Sequence, residues 1–378
     1  MRKVAVVSVA QTKHGASLDG TVRELVYRVA REAMDKVGLT RDQLGTVITS
    51  SSDYWVGVAC SNEYTLDAVG GYLKSTAKAE EDSALAFMYA LMRVASGLYD
   101  TALVVGVTKA SEIPPLPVLT ALNSEPFYQR PVGIEDISAA ALQGTEYMDR
   151  YGVTREQAAL VVEKNLGNAA RNPFAHRRNP VTVEDVLRSS LVASPLHTLD
   201  CQPDSDGACA VLLAADGIAQ KLARKPVWVK GVGWSVDHYY LGDRDMPGEA
   251  LAGAAQQAYA MAGIDRPREQ VDVAELCDAY SFQELMWYEQ LGFCGSGQGG
   301  RLMESGVTRM GGDLPVNPSG GVLATNPYVA RGLIRIGEAA LQVMGEAGDR
   351  QVPGARTALA HSYHGLAAQF HAVAILGG

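Results

Sequence analysis

Acidic side chains stand at the start of a predicted helix in the first quarter of the chain. Glu80, Glu81 and Asp82 directly precede an apolar helical pattern that begins at Ser83. Carboxylates at a helix N-terminus are favourable by about 0.3–1 kcal/mol, and Asp82 or Ser83 is a suitable N-cap residue. If the same carboxylates line a closed cavity, desolvation raises their pKa and makes them usable general bases. The sequence leaves both interpretations open.

A second set of reactive side chains follows two predicted strands in the last third of the chain. Cys277 and Tyr280 come after the apolar residues 271–276, and His361 and Tyr363 come after residues 357–360. A cysteine after a buried strand is usually a packed, inert residue, although a thiolate there can act as a nucleophile. The tyrosines can act as acid catalysts beside groups that stabilise phenolate, such as His361, or can simply pack in the core.

Two further features concern ligand binding. In the turn Asn317-Pro318-Ser319-Gly320-Gly321, the adjacent glycines let the backbone approach a ligand closely. We therefore predict that Ser319, Gly320 and Gly321 shape a binding pocket. Basic residues beside predicted loops are candidates for contact with phosphates, although such residues are usually only solvated. They are Lys109, Arg130, His176, Arg177 and Arg178.

These residues must be positioned by an alternation of apolar β-branched runs and amphipathic helical patterns. The first half has strands at residues 4–9, 46–49 and 102–107 with helices at 22–37 and 83–96. The second half has strands at 227–232, 271–276, 357–360 and 371–376 with helices at 248–262 and 332–344. This order predicts an α/β protein of two repeated halves that pack through shared helices. The proline-rich residues 112–130 are predicted to form a loop or crossing segment.

The composition restricts the possible functions of this 378-residue chain. It has 47% hydrophobic and 20% charged residues, as in ordinary soluble proteins, and no run approaches the roughly 18 apolar residues of a membrane span. The short apolar start lacks a cleavage site and is predicted to be a buried strand. Five scattered cysteines predict no disulfide framework, no metal site and a reducing cytoplasm. The net charge of −9 has no basic stripe beside it, so neither nucleic acid nor a membrane is an expected partner.

Several blocks of sequence, in the right order, resemble the sterol-carrier-protein type of thiolase. They are EYMDRYGVT (146–154), DCQPDSDGA (200–208), VAELCDAYSF (273–282), YEQLGFC (288–294), GQGG (297–300) and NPSGG (317–321). The resemblance implies a thiolase-like α/β fold with five αβαβα layers. It also implies an N-terminal half at 1–240, with a helical insertion at about 113–190, and a C-terminal half at 241–378. Thiolases cover coenzyme A with a loop domain in the region of this insertion, which looks shortened here.

The same resemblance indicates where the thiolase chemistry is altered. The family nucleophile, a cysteine at the start of a helix, falls between residues 80 and 83, and none of these is cysteine. The family's His-Asp-Cys-Phe motif reads Cys277-Asp278-Ala279-Tyr280, and its Gly-His-Pro motif reads Thr325-Asn326-Pro327. His361 is the one histidine standing where the family has one. The pocket implied by the resemblance is ringed by Glu80, Glu81, Asp82, Ser83, Cys277, Tyr280, Asn326, Tyr328, His361 and Tyr363.

Loss of the cysteine favours retro-aldol cleavage of a 3-hydroxyacyl-CoA thioester over thiolysis. A retro-aldol step needs only a base for the β-hydroxyl and a cradle for the thioester enolate. Coenzyme A is then part of the substrate, and no covalently bound cofactor is expected. The alternatives are a non-catalytic subunit that binds acyl-CoA or scaffolds a complex, and a true thiolase using Cys277 or another unorthodox nucleophile. The resemblance further implies a homodimer and a small partner with an OB-fold and a zinc ribbon, as in thiolase-like steroid side-chain retro-aldolases.

Overall fold

The strands of the computed structural model form one long mixed sheet and a separate small hairpin. The structure describes residues 2–80, 82–246 and 248–378. The strands are β1 (Val4–Gln11), β2 (Thr46–Ser50), β3 (Ser75–Ala79), β4 (Thr101–Thr108), β5 (Leu191–Ala193), β6 (Leu196–His197), β7 (Gly207–Ala215), β8 (Val227–Val236), β9 (Val273–Glu275), β10 (Thr357–His364) and β11 (Phe370–Gly377). Within the described residues the main sheet has the order β3-β2-β4-β7-β1-β8-β11-β10-β9, and β5 pairs with β6.

The two halves of the main sheet meet at its middle. Strand β2 is parallel to β3 and β4, β9 is parallel to β10, and the remaining neighbours are antiparallel. A short contact joins β1 to β8, where Ala5 pairs with Trp228 and Val6 with Val227. The strands of the first predicted repeat are therefore connected to those of the second, which begins with β8, by backbone hydrogen bonds as well as by the helices between them.

The helices complete the layers on both faces of the sheet. They are α1 (Val22–Asp35), α2 (Asp53–Val56), α3 (Ser61–Thr65), α4 (Ser83–Ala95), α5 (Leu116–Thr120), α6 (Asp136–Tyr151), α7 (Arg155–Ala169), α8 (Val183–Arg188), α9 (Ala219–Leu222), α10 (Ala250–Ala262), α11 (Pro267–Gln270), α12 (Ser281–Gln290), α13 (Gly299–Glu304), α14 (Gly321–Ala324) and α15 (Arg331–Met344). Helices α4 and α15 share one apolar core with residues of both halves of the sheet. Helix α1 packs on the outer face of the N-terminal half, and α7, α10 and α12 pack on that of the C-terminal half. The predicted αβαβα layering is confirmed.

The sequence predicted the elements that carry a clear period and missed four strands. The predicted strands and long helices all occur, with ends shifted by a few residues, whereas β3, β5, β6 and β7 were not predicted. The proline-rich segment was expected to be a loop, but it contains the short helix α5. Pro115 stands before this helix and Pro117 stands in its first turn, where a missing N–H leaves no intrahelical bond unmade. No helix in the described parts of the chain is long and apolar enough to span a membrane.

Candidate active site

The N-terminus of α4 is capped by the side chain of the residue that precedes the helix. Asp82 is the N-cap residue, and its carboxylate accepts a hydrogen bond from the backbone N–H of Ala84 at 2.8 Å. Ser83 is fully buried, and its hydroxyl accepts from the N–H of Leu333 at 2.8 Å, which ties α4 to the start of α15. Both residues therefore have a structural task at the position where the family nucleophile was expected.

Strand β10 presents polar side chains to this helix end. The hydroxyl of Ser362 donates to Asp82 at 3.1 Å, and Nδ1 of His364 lies 3.7 Å from the same carboxylate, an ion-pair distance. Burial raises the pKa of Asp82, but His364, the Ala84 N–H and the charge of Arg331 outweigh it and leave the pKa below its ordinary value. Asp82 is thus an anion held in place and a poor general base.

Gly332 makes this close approach of α15 possible. A Cβ at that position would collide with the Asp82 carboxylate, the Ser362 hydroxyl and the Ala84 nitrogen. A side chain there would push α15 away from α4, so the glycine is required by packing.

A pocket of about 260 Å³ leads from the surface to a different set of residues. Its lining includes Leu116 and Pro117, the start of α6, and the segment 201–204, and it reaches Tyr280 just before α12. Tyr280 has 1% of its surface exposed and Asp136, also in the lining, has 4%. Nearly buried titratable groups at the end of a cleft are typical of a functional site.

Tyr280 and Asp136 form a hydrogen-bonded pair. The tyrosine hydroxyl donates to Oδ2 of Asp136 at 2.9 Å, and the side-chain amide of Gln202 donates to the same oxygen at 3.1 Å. Burial raises the pKa of Asp136 to about 6, against the opposing charge of Arg331. Burial and the nearby carboxyl also raise the pKa of Tyr280 well above 10. The pair therefore titrates at the carboxyl and keeps the phenol protonated.

Arg331 connects this pair to the rest of the cluster. Its guanidinium carbon lies 4.2 Å from the ring centroid of Tyr328 and 4.5 Å from that of Tyr363. It donates to the side-chain oxygen of Gln202 at 3.2 Å and to the carbonyl of Tyr363 at 2.9 Å. Although only 2% of Arg331 is exposed, the ion pairs of the described residues include no carboxylate within 4 Å of it. A buried cation held by neutral groups is suited to an incoming anion or a developing negative charge.

Three more predicted site residues lie around this cation. The Tyr363 hydroxyl donates to Gln283 at 2.8 Å, and burial raises its pKa well above 10. Tyr328 stacks on Trp55 with ring centroids 4.4 Å apart. Cys277 is fully buried, and burial raises the pKa of its thiol to about 12, so it carries little thiolate at neutral pH.

Asn326 is the predicted site residue with the least local bonding. It is fully buried, yet neither its amide oxygen nor its amide nitrogen has a hydrogen-bond partner among the described residues. Its backbone is held by Ser205, whose hydroxyl accepts from the Asn326 N–H at 3.1 Å and also contacts Nδ1 of His176 at 2.9 Å. An unpaired buried amide is costly, so its two polar atoms are available to a polar ligand atom or a water.

The predicted glycine turn is held by buried acids. Ser319 donates to Glu275 at 2.6 Å and accepts from Arg335 at 2.7 Å. Gly320 and Gly321 both have positive φ, and a Cβ on Gly321 would collide with the carboxylate of Asp278. These contacts with neighbouring side chains hold the turn in place, and with it the start of the segment that leads to Asn326.

Other predicted residues lie away from the cluster. Glu80 is exposed and forms a 2.9 Å ion pair with Lys78, while Glu81 lies outside the described residues. Lys109 is buried against Asp206 at 3.4 Å, and Arg130 donates to carbonyls of its own loop. Of the five basic candidates, Arg177 is the one in the pocket lining.

The expectation that His361 and Tyr280 share one acid–base network is not met. Alternation along β10 turns Ser362 and His364 towards α4, whereas His361 faces the core beside Trp287. Nε2 of His361 contacts Nδ1 of His371 at 2.9 Å, and the described hydrogen bonds do not join it to Tyr280. Burial, with His371 and Arg331 nearby, lowers its pKa well below 6.5. His361 lies on the same face of β10 as Tyr363, but its described contacts are with Trp287 and His371.

Sequence reasoning missed three members of the cluster: Asp136, Gln202 and Arg331. Asp136 lies 144 residues before Tyr280, and no local pattern connects the two. Gln202 lies inside a family block, and its neighbour Cys201 pairs with Tyr280 in an isolated bridge. Arg331 was detectable as an arginine at the start of an otherwise apolar helix pattern.

Comparison with known proteins agrees with this fold and helix arrangement. Residues 233–378 match the family model described as thiolase C-terminal domain-like. An acetyl-CoA acetyltransferase of Methanothermobacter thermautotrophicus is 35% identical over 376 residues, covering 97% of this chain and 97% of that protein. Sterol carrier protein 2 of Bos taurus is 36% identical over 233 residues, covering 58% of this chain and 41% of that protein.

Among solved structures, the Ltp2-ChsH2(DUF35) aldolase aligns with a TM-score of 0.86 at 22% identity, covering 100% of this chain and 98% of that chain. At that identity the likeness shows a shared fold. The archaeal relative, by contrast, is similar in sequence along almost its whole length. The chain therefore belongs to the thiolase superfamily, in the branch of the sterol-carrier-protein-type thiolases.

Proposed function

We propose that this protein acts on an acyl-CoA thioester by retro-aldol chemistry, cleaving a 3-hydroxyacyl-CoA or forming it in reverse. One observation carries the proposal: the pocket lining contains the hydrogen-bonded Tyr280–Asp136 pair, whereas the segment 80–83, where the family nucleophile is expected, contains the capping Asp82 and no cysteine. The first arrangement supplies proton transfer, and the second removes the covalent step of a thiolase.

The reaction balances without an added reactant. The β-hydroxyl gives up its proton, its oxygen becomes the carbonyl of a ketone or aldehyde, and the bond between Cα and Cβ breaks. Its electron pair forms the enolate of the shorter thioester, and a proton added at Cα completes that thioester. The protein must therefore accept one proton, stabilise one negative oxygen and return one proton.

Two residues of the pocket lining and two buried residues outside it are proposed for these tasks: Tyr280 and Arg177, and Arg331 and Asn326. Tyr280 stands at the pocket's end as the group for the β-hydroxyl. Asn326, with its unpaired amide, and the Arg331 guanidinium are the donors for the thioester oxygen as it becomes an enolate. Arg177 is the cation in the pocket lining for a phosphate of coenzyme A. Donors fixed before the reaction stabilise developing charge without reorganising.

Thiolysis through Cys277 is less favoured. Its pKa of about 12 leaves little thiolate at neutral pH, and it is fully buried. The Arg331 charge opposes the effect of burial but does not reverse it. A thiolase nucleophile needs the opposite conditions, a lowered pKa and access to the substrate.

The proposal includes two protein partners. The name of the structural neighbour contains a DUF35 component. A small partner with an OB-fold and a zinc ribbon is proposed to cover the coenzyme A of this protein. A second copy of this chain is proposed to pair through β3, which has one neighbour, β2, and lies at the edge of the sheet. Unpaired edge strands favour pairing with another chain.

The test compares carbon products with thiol consumption. The protein, with and without the candidate zinc-ribbon partner, is incubated with 3-hydroxyacyl-CoAs or with 3-oxoacyl-CoAs plus free coenzyme A. Retro-aldol cleavage releases one ketone or aldehyde per shorter acyl-CoA and consumes no free thiol. Consumption of free thiol without a released carbonyl compound identifies a thiolase. Binding without either product identifies a non-catalytic acyl-CoA subunit.

A Tyr280→Phe variant tests the site itself. We expect cleavage to fall by about 10²–10⁴ because a proton-transfer group is lost. Tyr259→Phe is the matched control, since Tyr259 is also largely buried and donates to the carbonyl of Leu291 in a different helix contact. Equal loss in both variants, or no loss in Tyr280→Phe, contradicts the assignment.

A further inference from the structure

The protonation state of Tyr280 raises a question about the fate of the substrate proton. Burial holds the pKa of this phenol well above 10, and its hydroxyl hydrogen already points at a carboxylate oxygen. A tyrosine in this state cannot wait as phenolate for a β-hydroxyl at neutral pH. It can accept the substrate's proton only while passing its own proton onward.

Asp136 is placed to receive that proton. It is the first residue of α6, and its Oδ2 accepts the Tyr280 hydroxyl at 2.9 Å. Its backbone N–H is fixed by Thr120 at 3.2 Å, and Glu135 caps the helix in front of it. The side chain lines the pocket and is otherwise buried. The carboxyl is therefore held rigidly beside the tyrosine hydroxyl, and both residues line the pocket.

We propose that Asp136 is the proton acceptor of the retro-aldol step, with Tyr280 as the conduit. As the bond between Cα and Cβ breaks, the β-hydroxyl proton moves to the Tyr280 oxygen and the Tyr280 proton moves to Oδ2 of Asp136. The proton then returns by the same path, or by exchange through the pocket, while the enolate is protonated at Cα. No net proton is gained or lost. The inference rests on the proposed function and assigns the acceptor within it.

The groups around Asp136 set the pH above which its carboxyl is ionised and can accept a proton. Burial disfavours its carboxylate, as does the charge of the neighbouring Glu135, whereas Arg331, Tyr280 and Gln202 favour it. Cys201 and Tyr363 also face it, and both are neutral because burial raises their pKa values. The carboxylate is the active form, so activity rises as pH increases through about 6.

Gln202 is a positioning residue in this arrangement. It donates to Asp136 at 3.1 Å and accepts from Arg331 at 3.2 Å, so it joins the acceptor to the buried cation. Without the amide, the carboxylate loses one of its two described side-chain donors. Its pKa, and the acid limb of the pH profile, should move upward by about one unit.

The experiment measures kcat/KM for cleavage between pH 4.5 and 8.5 in the wild type and three variants, with the partner present. Asp136→Asn keeps the size of the side chain, Gln202→Met removes the amide, and Asp149→Asn is the matched control on an exposed face of α6. We expect Asp136→Asn to lose about 10²–10⁴ in kcat/KM together with the acid limb. Gln202→Met should keep a limb shifted upward, and Asp149→Asn should match the wild type.

The outcomes separate the inference from the function on which it rests. A wild type that cleaves no 3-hydroxyacyl-CoA overturns the proposed function and the inference with it. A wild type that cleaves, beside an Asp136→Asn variant that keeps the acid limb and more than a tenth of its rate, overturns the inference alone. If Asp136→Asn does not fold, the Gln202→Met variant decides. An acid limb that does not shift in Gln202→Met overturns the inference alone, and an upward shift supports Asp136 as the proton acceptor.

Discussion

Replacing Asp136 by asparagine should make the folded protein more stable at neutral pH. The folded-state pKa of about 6 lies above the ordinary value of 3.8, because the carboxyl is buried. Below about pH 3 the group is mostly protonated in both states and costs little. As pH rises, the unfolded chain releases the proton first, so stability is lost progressively until about pH 6 and then stays low.

The size of the effect follows from the difference between these two pKa values. At 1.36 kcal/mol for each pH unit, the buried carboxylate costs about 3 kcal/mol at pH 8. Asparagine removes the charge but keeps an oxygen where Tyr280 and Gln202 both donate, since both bonds enter Oδ2. The variant should therefore exceed the wild type by about 2–3 kcal/mol at pH 8, and by only about 1 kcal/mol at pH 4.5.

Urea unfolding followed by tryptophan fluorescence at pH 4.5, 6, 7 and 8 measures this difference. Asp149→Asn, on the exposed side of the same helix, should show a small difference at every pH. The reasoning is refuted if Asp136→Asn is less stable than the wild type at pH 8. It is also refuted if the gain is the same at pH 4.5 and pH 8, because a constant gain does not come from titration.

Three other predictions concern the thiol, the assembly and the second acid–base candidate. Iodoacetamide should leave turnover intact because the Cys277 thiol is buried with a pKa of about 12, whereas an inactivating adduct on Cys277 would favour thiolase chemistry. Sedimentation at low micromolar concentration should show a homodimer, and a stable monomer would exclude pairing through β3. His361→Ala should lower the melting temperature but keep turnover within about tenfold, since His361 packs against Trp287 and His371. A loss of about a hundredfold in a folded variant would instead show that His361 takes part in the reaction.

The fold was predictable because its signals are local. Strand β1 and helix α15 have strong apolar patterns, and each was predicted to within a few residues. Strand β3 was missed because it lies at the sheet edge with half-exposed residues and few β-branched side chains. Alternation in a strand and periodicity in a helix reflect burial, so elements with little burial give a weak pattern.

The site was only partly predictable because it depends on contacts between distant segments. Tyr280, Tyr363 and Asn326 follow strands or a glycine turn, and the family motifs already marked those positions. Asp136 reaches Tyr280 only because α6 crosses the end of α12, and its helix-start position looks like an ordinary N-terminal acid in the sequence. Adjacent residues of a strand point to opposite faces of the sheet, so Ser362 faces the N-terminus of α4, whereas His361 faces the core with Tyr363.

The capping of α4 by Asp82 has a consequence for where the thioester oxygen can bind. In a helix that activates a nucleophile, free N–H groups and the helix dipole stabilise thiolate and oxyanion. Here the Ala84 N–H is occupied by the Asp82 carboxylate, and the fixed negative charge repels a second anion. The buried positive charge lies instead at Arg331, whose guanidinium packs against the rings of Tyr328 and Tyr363. The side chain of Gln202 joins this guanidinium to Asp136 by hydrogen bonds. An enolate is therefore expected to form on the Arg331 side of the cluster, close to the proton acceptor that generates it.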